Sequence, residues 1–548
     1  MLRIVALGGL GEIGLNMTVF ETEGSRVIVD AGLMFPEDYM LGVDYVIPDM
    51  SYLRRSPARV EGIVLTHAHE DHIGALPFLL KEVDAPVYGT AFTLGIVRQK
   101  LQELEMTPAG GLHVVSAEEP LRLGDFTLDF IRVGHSVVDG VGIAMETPEG
   151  LIVHTGDFKI SRADGGRGTD VQKFARCGER GVLALLSDST NVEREGSTSP
   201  DTQIGATLTR IVEHSPGRVI VALFASNVGR IQAIVDIARA AGRKVIVTGR
   251  SIETSSEIAR TLGHLNMPRD VEISIDLIQD YPDDEVVIVT TGSQGEPMSA
   301  LARMASGTHK QIKIRAGDTV ILSSKFIPGN ERAITKIIDN LYRRGADVIY
   351  EKIADVHVSG HAFQDELRQM IRLTRPAHFI PVHGEYRHLI LHARLARDMG
   401  LDPQRVLLAE NGQVIVFDQG AGRLSGRVDT GRVLIDGKGV GDVGRAVLKE
   451  RRLLSEEGVV AVTMALDEET GIVMYGPEIV SRGVVFETET GHLLQDAQCV
   501  VLEIVEELPP EAPHRIERLS AGIQTALKQY FFYSIGRRPV ILPFIMEV

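Results

Sequence analysis

Thr66-His67-Ala68-His69-Glu70-Asp71-His72-Ile73-Gly74 places three histidines and two acids within six residues, directly after the strand-like run 60–65. Core packing gives no reason for such a cluster, because imidazoles and carboxylates are costly to bury without partners. On a helix His67 and His69 would point about 200° apart and could hardly share an ion. In a loop leaving a strand they converge, and Asp71 with His72 can turn toward a second ion. Imidazole and carboxylate donors together favour a borderline ion such as zinc, with manganese or iron as alternatives. A solvated His-rich loop is the bland reading of the same residues.

Two ions need more donors than one loop supplies, and the chain offers them downstream. His135 follows a strand-like run in Val133-Gly134-His135-Ser136, Asp157 in His154-Thr155-Gly156-Asp157-Phe158, and His383 in Ile380-Pro381-Val382-His383-Gly384-Glu385. Each is a ligand type beside glycine at a strand end, where a sheet edge can present it into a cleft. Any one alone reads as well as a turn residue; beside the histidine run the set is hard to dismiss. Upstream, Gly9-Leu10-Gly11-Glu12-Ile13-Gly14 matches the dinucleotide pattern G-x-G-x-x-G, and Asp30 stands where a ribose-binding acid could be. A βαβ unit, however, needs roughly ten or more crossover residues between its strands. Leu15-Asn16-Met17-Thr18-Val19-Phe20 is a strand pattern, so a hairpin is predicted here and a nucleotide site is not.

The 548 residues are 44% hydrophobic and 24% charged, an ordinary globular balance that suits roughly three to four domains. Residues 1–199 carry strand-like runs at 3–7, 17–21, 26–30, 60–65, 126–132, 142–146, 151–155 and 182–186, which predicts a mostly antiparallel arrangement with few helices. Across residues 200–355, β-branched runs at 219–224, 244–248, 285–290, 319–323 and 347–350 alternate with amphipathic stretches such as 228–241 and 331–344. That is the pattern of a wound parallel α/β sheet. Residues 356–440 return to strands, and 441–458 are polar and charged like a linker. Residues 459–548 read as a small α+β domain with a helix at 511–530 and a last strand at 539–547. No apolar run reaches the roughly 20 residues of a membrane span, and no export signal is read at the start. Cys177 and Cys499 match no disulfide or zinc-finger spacing. A cytoplasmic protein is expected. The formal charge of −17 argues, taken alone, against a nucleic-acid binder, although one basic channel can sit within an acidic total.

Asp30, His67/His69/Asp71/His72, His135, Asp157 and His383, in that order, resemble the metallo-β-lactamase superfamily. The long gap between Asp157 and His383 resembles the inserted domain of its β-CASP nucleases. So do Asp188 in Leu186-Ser187-Asp188-Ser189-Thr190-Asn191 and His361 in His357-Val358-Ser359-Gly360-His361. Further strings bring the resemblance to the bacterial ribonuclease J family: Phe35-Pro36-Glu37-Asp38, Phe224-Ala225-Ser226-Asn227, Thr291-Gly292-Ser293-Gln294-Gly295-Glu296 and Ile327-Pro328-Gly329-Asn330-Glu331. It covers essentially the whole chain.

The resemblance implies an αββα sandwich (residues 1–199 and 356–440) with an inserted β-CASP α/β domain (200–355) and a small C-terminal α+β domain. It implies that His67, His69 and His135 hold one ion, that Asp71, His72 and His383 hold the other, and that Asp157 bridges them while Asp30 orients ligands. Two zinc ions are expected, with manganese as a substitute or activator. The redox di-iron branch usually has Glu where His69 stands, so His69 favours hydrolysis. Histidine at position 383 accompanies RNA substrates. The implied activity is 5′→3′ exonuclease and endonuclease action on single-stranded RNA, preferably 5′-monophosphorylated, leaving 5′-phosphate products in RNA decay and ribosomal RNA maturation. His361 is expected to contact the scissile phosphate and protonate the leaving oxygen, with Asp188 and Asp157 as its catalytic neighbours. Ser226, Asn227, His357, Val358, Ser359 and Gly360 are expected to bind substrate phosphate, Ser226 and Asn227 doubling as a helix cap. Asp436 with Leu41 and Val43 is a candidate for a structural calcium ion, a simple turn being the alternative. A homodimer or higher homo-oligomer is implied, with the C-terminal domain serving association. Two other roles on this fold are a small-molecule hydrolase (thioesterase or lactamase), which gains nothing from a long insertion, and a non-catalytic scaffold, which would have lost ligands.

Overall fold

The computed structural model describes all residues except 56–57, 161–167, 200, 297, 327–329, 438, 442 and 485–491. Ile327, Pro328 and Gly329 of the quoted string therefore lie outside the described residues. Two compact units emerge: Met1–Phe35 with Tyr45–Val433, and Pro36–Asp44 with Leu434–Val548. Residues 36–44 and 434–440, expected within the sandwich, thus group with the C-terminal unit.

The first unit is built on two sheets. One has eight strands in the spatial order Ala421–Arg427, Gln413–Asp418, Leu2–Gly8, Met17–Glu21, Ser25–Val29, Arg59–Val64, Val87–Gly89 and Leu112–Val114. The other has six: His378–Val382, Val182–Asp188, Gly150–His154, Val141–Thr147, Phe126–Arg132 and Leu121–Leu123. Ile4, Phe20, Val29 and Val64 of the first share one buried cluster with Phe126, Phe130, Ile143 and Ile152 of the second, so the sheets pack face to face. Strand alternation does the sorting. Phe130 points into that cluster, whereas Ile131 joins Phe174, Ile371 and Ala393 of the helices Val171–Arg180, Gln364–Thr374 and Tyr386–Asp398 on the outer face.

Leu2–Gly8 and Met17–Glu21 pair antiparallel, with Ile4 opposite Phe20, so the glycine motif closes a hairpin. Gly9, Gly11 and Gly14 all take positive φ there. From Ser25–Val29 onward the first sheet runs parallel, with Val29 opposite Val64 and Ile63 opposite Val87. The antiparallel expectation fails from here because longer crossovers with helical segments intervene: Ser51–Arg55 before Arg59–Val64, Leu76–Glu82 before Val87–Gly89, and Ala91–Glu103 after it.

The chain leaves the second sheet at Asp188 and returns at His378, and these two strands are neighbours in parallel register, Asp188 opposite Val382. Between them the inserted block forms a five-stranded sheet in the order Lys244–Thr248, Val286–Thr290, Val219–Ala222, Thr319–Leu322 and Asp347–Ile349, parallel throughout. Helices covering both faces make its central strands continuously apolar, which is why they read as unbroken β-branched runs.

The second unit carries a three-stranded sheet with Val459–Leu466 in the middle, antiparallel to Val473–Arg482 and parallel to Val540–Glu547. The helices Leu493–Glu507 and Arg515–Ile535 supply its core residues Val501, Leu519, Ile523 and Leu527. Residues 441–458, expected to be a linker, contain the helix Arg445–Glu457. Its run of Leu, Lys, Glu and Arg has high helix propensity, and Arg452 pairs with Glu456 one turn on.

His392 lies in the helix Tyr386–Asp398, fully buried against the Phe379 ring at 4.7 Å, with one nitrogen 3.0 Å from Ser189 Oγ and the other unpartnered. Burial pushes its pKa down to about 3. Because the unfolded chain then binds the extra proton, the contribution of His392 is full above about pH 6.5 and is lost progressively as pH falls toward its folded value. Urea unfolding at pH 7 and pH 5 should show the wild type losing about 2 kcal/mol more than His392→Leu over that interval. Equal losses would remove His392 from the acid sensitivity.

Candidate metal centre

Asp30, one residue past Ser25–Val29, adopts a left-handed backbone with φ of 64° and is 2% exposed. Its carboxylate accepts from Thr66 N at 2.8 Å and from His72 Nδ1 at 2.7 Å, tying the histidine loop to the neighbouring strand. His69 is still extended (φ −79°, ψ 149°), and a short helix, Glu70–Ile73, starts immediately after it. The change of backbone brings the His67 ring against both His69 and His72, with centroids 4.8 and 4.1 Å away. Gly32 makes room for this turn, since a Cβ there would meet the Asp71 carbonyl at 1.7 Å.

Two donor sets result. His67 Nε2 and His135 Nε2 lie 3.1 and 3.2 Å from His69 Nδ1. His383 Nε2 lies 3.3 Å from Asp71 Oδ2, and His72 Nε2 3.6 Å from the same oxygen. Asp157 belongs to both. Its Oδ2 is 3.6 Å from His67 Nε2, 3.8 Å from His135 Nε2 and 3.3 Å from His72 Nε2. Within each set, Asp157 included, all donor atoms fall within 4.8 Å of one another.

The donor chemistry fits divalent ions. Burial foremost, then neighbouring imidazoles, holds His67 and His135 well below the usual histidine range, and burial brings His69 to about 4. These rings are neutral near pH 7, with the lone pair a ligand needs. Burial disfavours charge on Asp71 and Asp157, but adjacent histidines outweigh it and keep both anionic. Burial likewise opposes protonation of His72 and His383, and Asp157 first among the carboxylates raises both. Asp157 Oδ2 is buried with no hydrogen-bond partner, an arrangement costing roughly 1–3 kcal/mol unless a cation meets it.

On His67, His69 and His135 the nitrogen that turns away from the centre has a partner, which constrains ring orientation. His67 Nδ1 faces Thr66 Oγ1 at 3.1 Å, and His135 Nδ1 donates to the Gly360 carbonyl at 2.8 Å. A Cβ on Gly360 would come within 2.7 Å of that imidazole. His69 Nε2 lies 3.1 Å from Ser226 Oγ, within hydrogen-bond distance. Next to the second set, His361 Nδ1 donates to Asp188 Oδ2 at 2.8 Å while its ring remains partly exposed. Burial lowers the His361 pKa, but Asp188 and Asp157 raise it more, so the net shift is upward.

All seven expected ligands, with Asp188 and His361, are therefore brought to one rim. Ser226 reaches it through His69. Asn227 Oδ1 accepts from Arg230 N at 3.1 Å, the helix cap that was the alternative for this residue. Ser359 Oγ accepts from Asn191 Nδ2 at 2.5 Å. His357, Val358 and Ser359 line a cavity of about 390 Å³ together with Arg194, Lys325 and Lys352. At the expected calcium position, Asp436 pairs with the Arg451 guanidinium, which also donates to the Leu41 carbonyl at 2.9 Å. The charge there is met by arginine, and Val43 donates its N–H to the Met40 carbonyl at 3.1 Å. Sequence reasoning passes over Asn16, whose amide donates to the Asp71 carbonyl at 3.0 Å, and Thr190, whose hydroxyl donates to Asp188 Oδ1 at 2.8 Å. Thr190 stood inside a quoted string; Asn16 carried no signal beyond the glycine motif beside it.

Family models match in four places: "Metallo-beta-lactamase superfamily" over residues 10–203, "Ribonuclease J, beta-CASP domain" over 216–341, "Zn-dependent metallo-hydrolase RNA specificity domain" over 345–407, and "Ribonuclease J C-terminal domain" over 446–548. Ribonuclease J2 of Bacillus subtilis is 41% identical over 100% of this chain and 98% of its own length. Ribonuclease J 1 of Streptococcus pyogenes is 40% identical over 99% of this chain and 97% of its own. A crystal structure of a protein of unknown function from Enterococcus faecalis V583 has a TM-score of 0.54 at 14% identity, covering 77% of this chain and 100% of that one, a likeness of fold alone. Among the described residues no helix is long and apolar enough to cross a membrane.

Asp157→Ala should retain fewer divalent ions per chain than the wild type, by atomic spectrometry after gel filtration. Equal ion content in the variant and the wild type would remove Asp157 from the donor sets.

Proposed function

The chain belongs to the ribonuclease J family, and from that premise we propose that it hydrolyses RNA phosphodiesters at the His67–His383 rim with two divalent ions. The observation that carries this is the unpartnered Asp157 Oδ2 between two complete donor sets. Bound there, divalent ions supply Lewis acidity and an activated water at neutral pH. Zinc suits the histidine-rich first set, with manganese as the substitute.

The chain's own groups supply the rest. Asp188 accepts from His361 Nδ1, which leaves Nε2 to face a substrate and holds a proton on the ring to higher pH than usual. His361 is thereby placed to contact the scissile phosphate and protonate the leaving 3′-oxygen. Water rather than the ribose 2′-hydroxyl as nucleophile leaves 5′-phosphate products.

The backbone run 357–360, with Ser226 and Asn227, supports phosphate binding by loop hydroxyls, amides and N–H groups. Burial and the nearby cations Arg230, Lys325 and Lys159 bring His357 to about 4, so it meets a phosphate as a neutral donor. The adjoining cavity wall carries Arg194, Lys325 and Lys352 against Glu351 and Asp355, so basic groups outnumber acids there by one in a chain of formal charge −17. A pocket of this kind admits a 5′-monophosphate and disfavours a triphosphate, consistent with 5′→3′ exonuclease action beside endonuclease cleavage, in RNA decay and ribosomal RNA maturation in the cytoplasm. The C-terminal unit, with Leu542, Phe544 and Met546 exposed on its last strand, is the candidate for assembly into a homodimer or higher oligomer. A calcium ion at Asp436 has a competitor in Arg451, and we assign the charge compensation there to the guanidinium. A thioesterase or lactamase role leaves the insertion and the 357–361 run unexplained, and a scaffold role leaves the intact ligand set unexplained.

End-labelled RNA bearing a 5′-monophosphate should yield a mononucleotide ladder in zinc or manganese, and its 5′-triphosphate counterpart should be degraded much more slowly. Equal rates would remove the end-reading pocket. His361→Ala should keep both ions and lose about 10²–10⁴-fold in turnover; near-normal turnover with both ions bound would remove its acid role.

A further inference from the structure

Thr66, Asp30 and Gly360, the partners of His67, His72 and His135, all lie in the sandwich. His69 is the exception, because Ser226 belongs to the inserted domain. Ser226 sits in the turn between the strand Val219–Ala222 and the helix Val228–Ala240, where Asn227 N donates to the Phe224 carbonyl at 3.0 Å and Val228 N to that of Ser226 at 2.9 Å. Asn227 caps the following turn through Arg230 N. The hydroxyl is thus fixed in place before it meets His69. His69 also differs from its two partners in turning Nδ1, not Nε2, toward the shared point. With Nδ1 as the ligand atom, the proton sits on Nε2 and Ser226 Oγ accepts it.

We propose that Ser226 is a positioning residue for His69, so that the inserted domain completes the first ion site and ion binding there is linked to RNA binding. The inference rests on reading the His67, His69 and His135 triangle as a metal site. A hydroxyl that accepts from His69 still has its own hydrogen to donate. Donated to an RNA phosphate oxygen, that hydrogen polarises the Oγ and strengthens the His69 contact, since chained hydrogen bonds reinforce one another. By linkage, RNA tightens the first ion and the first ion tightens RNA by the same factor. One side chain then serves both substrate recognition and ligand orientation, and separating the two roles needs a readout taken without RNA.

Zinc affinity of the full-length chain, measured by competition with a chromophoric chelator in the absence of RNA, separates them. Ser226→Ala should weaken one of the two zinc ions by about 10–100-fold and leave the other unchanged, the second ion reporting that the variant is folded. Ser226→Thr keeps the hydroxyl and should restore the first ion to within a few-fold of wild type. Repeating the wild-type titration with a 5′-monophosphorylated RNA whose scissile linkage resists hydrolysis should tighten the first ion, and the alanine variant should lose that response. Two ions of wild-type affinity in Ser226→Ala would overturn the proposal while leaving the metal site standing. A wild-type chain that binds no zinc would overturn both.

Discussion

A carboxylate shut away from water among five imidazoles is the constraint on which this molecule turns. Asp157 is 3% exposed, and His67, His72, His135, His361 and His383 all bring a nitrogen within 3.8 Å of its oxygens. Burial of a charge at such a place is costly unless opposite charge meets it closely. The surrounding protein holds the arrangement at further expense of backbone strain. Asp30 and His383 both take left-handed conformations, with φ of 64° and 55°, and such residues persist where neighbouring structure over-determines them, commonly at working sites.

The topology explains how residues more than three hundred positions apart reach one rim. Parallel neighbours end on the same edge of a sheet, so Asp188 and His383 are delivered side by side however many residues separate them in the chain. The inserted domain costs the sandwich little, because it enters and leaves at adjacent strands. In return it contributes Ser226 to His69, while the returning segment contributes Gly360 to His135. Two of the three groups that meet the first donor set thus come from the same loops as the candidate phosphate contacts.

Much of this was legible in the sequence, for identifiable reasons. The histidine run had no rival explanation in packing, and the strand pattern after Gly14 was incompatible with a crossover helix. The β-branched alternation of residues 219–350 reflects a sheet covered on both faces. What escaped depended on partners remote in sequence. The last parallel step of the first sheet runs through the helix Ala91–Glu103, whose apolar face is weakly patterned. Arg451 sat in a stretch that looked like a linker, and nothing local announced that its guanidinium would meet Asp436 and Leu41. Ser226 was read for its likeness to a phosphate contact and as a helix cap; that its Oγ also receives His69 is visible only when the two domains are seen together.

Anomalous diffraction at the zinc edge, from crystals grown with zinc and without RNA, tests the central claim most directly. Two peaks should flank Asp157, one at coordination distance from His67, His69 and His135 and the other from Asp71, His72 and His383. No peak at this rim, or a single ion that leaves either donor set unused, would contradict the account.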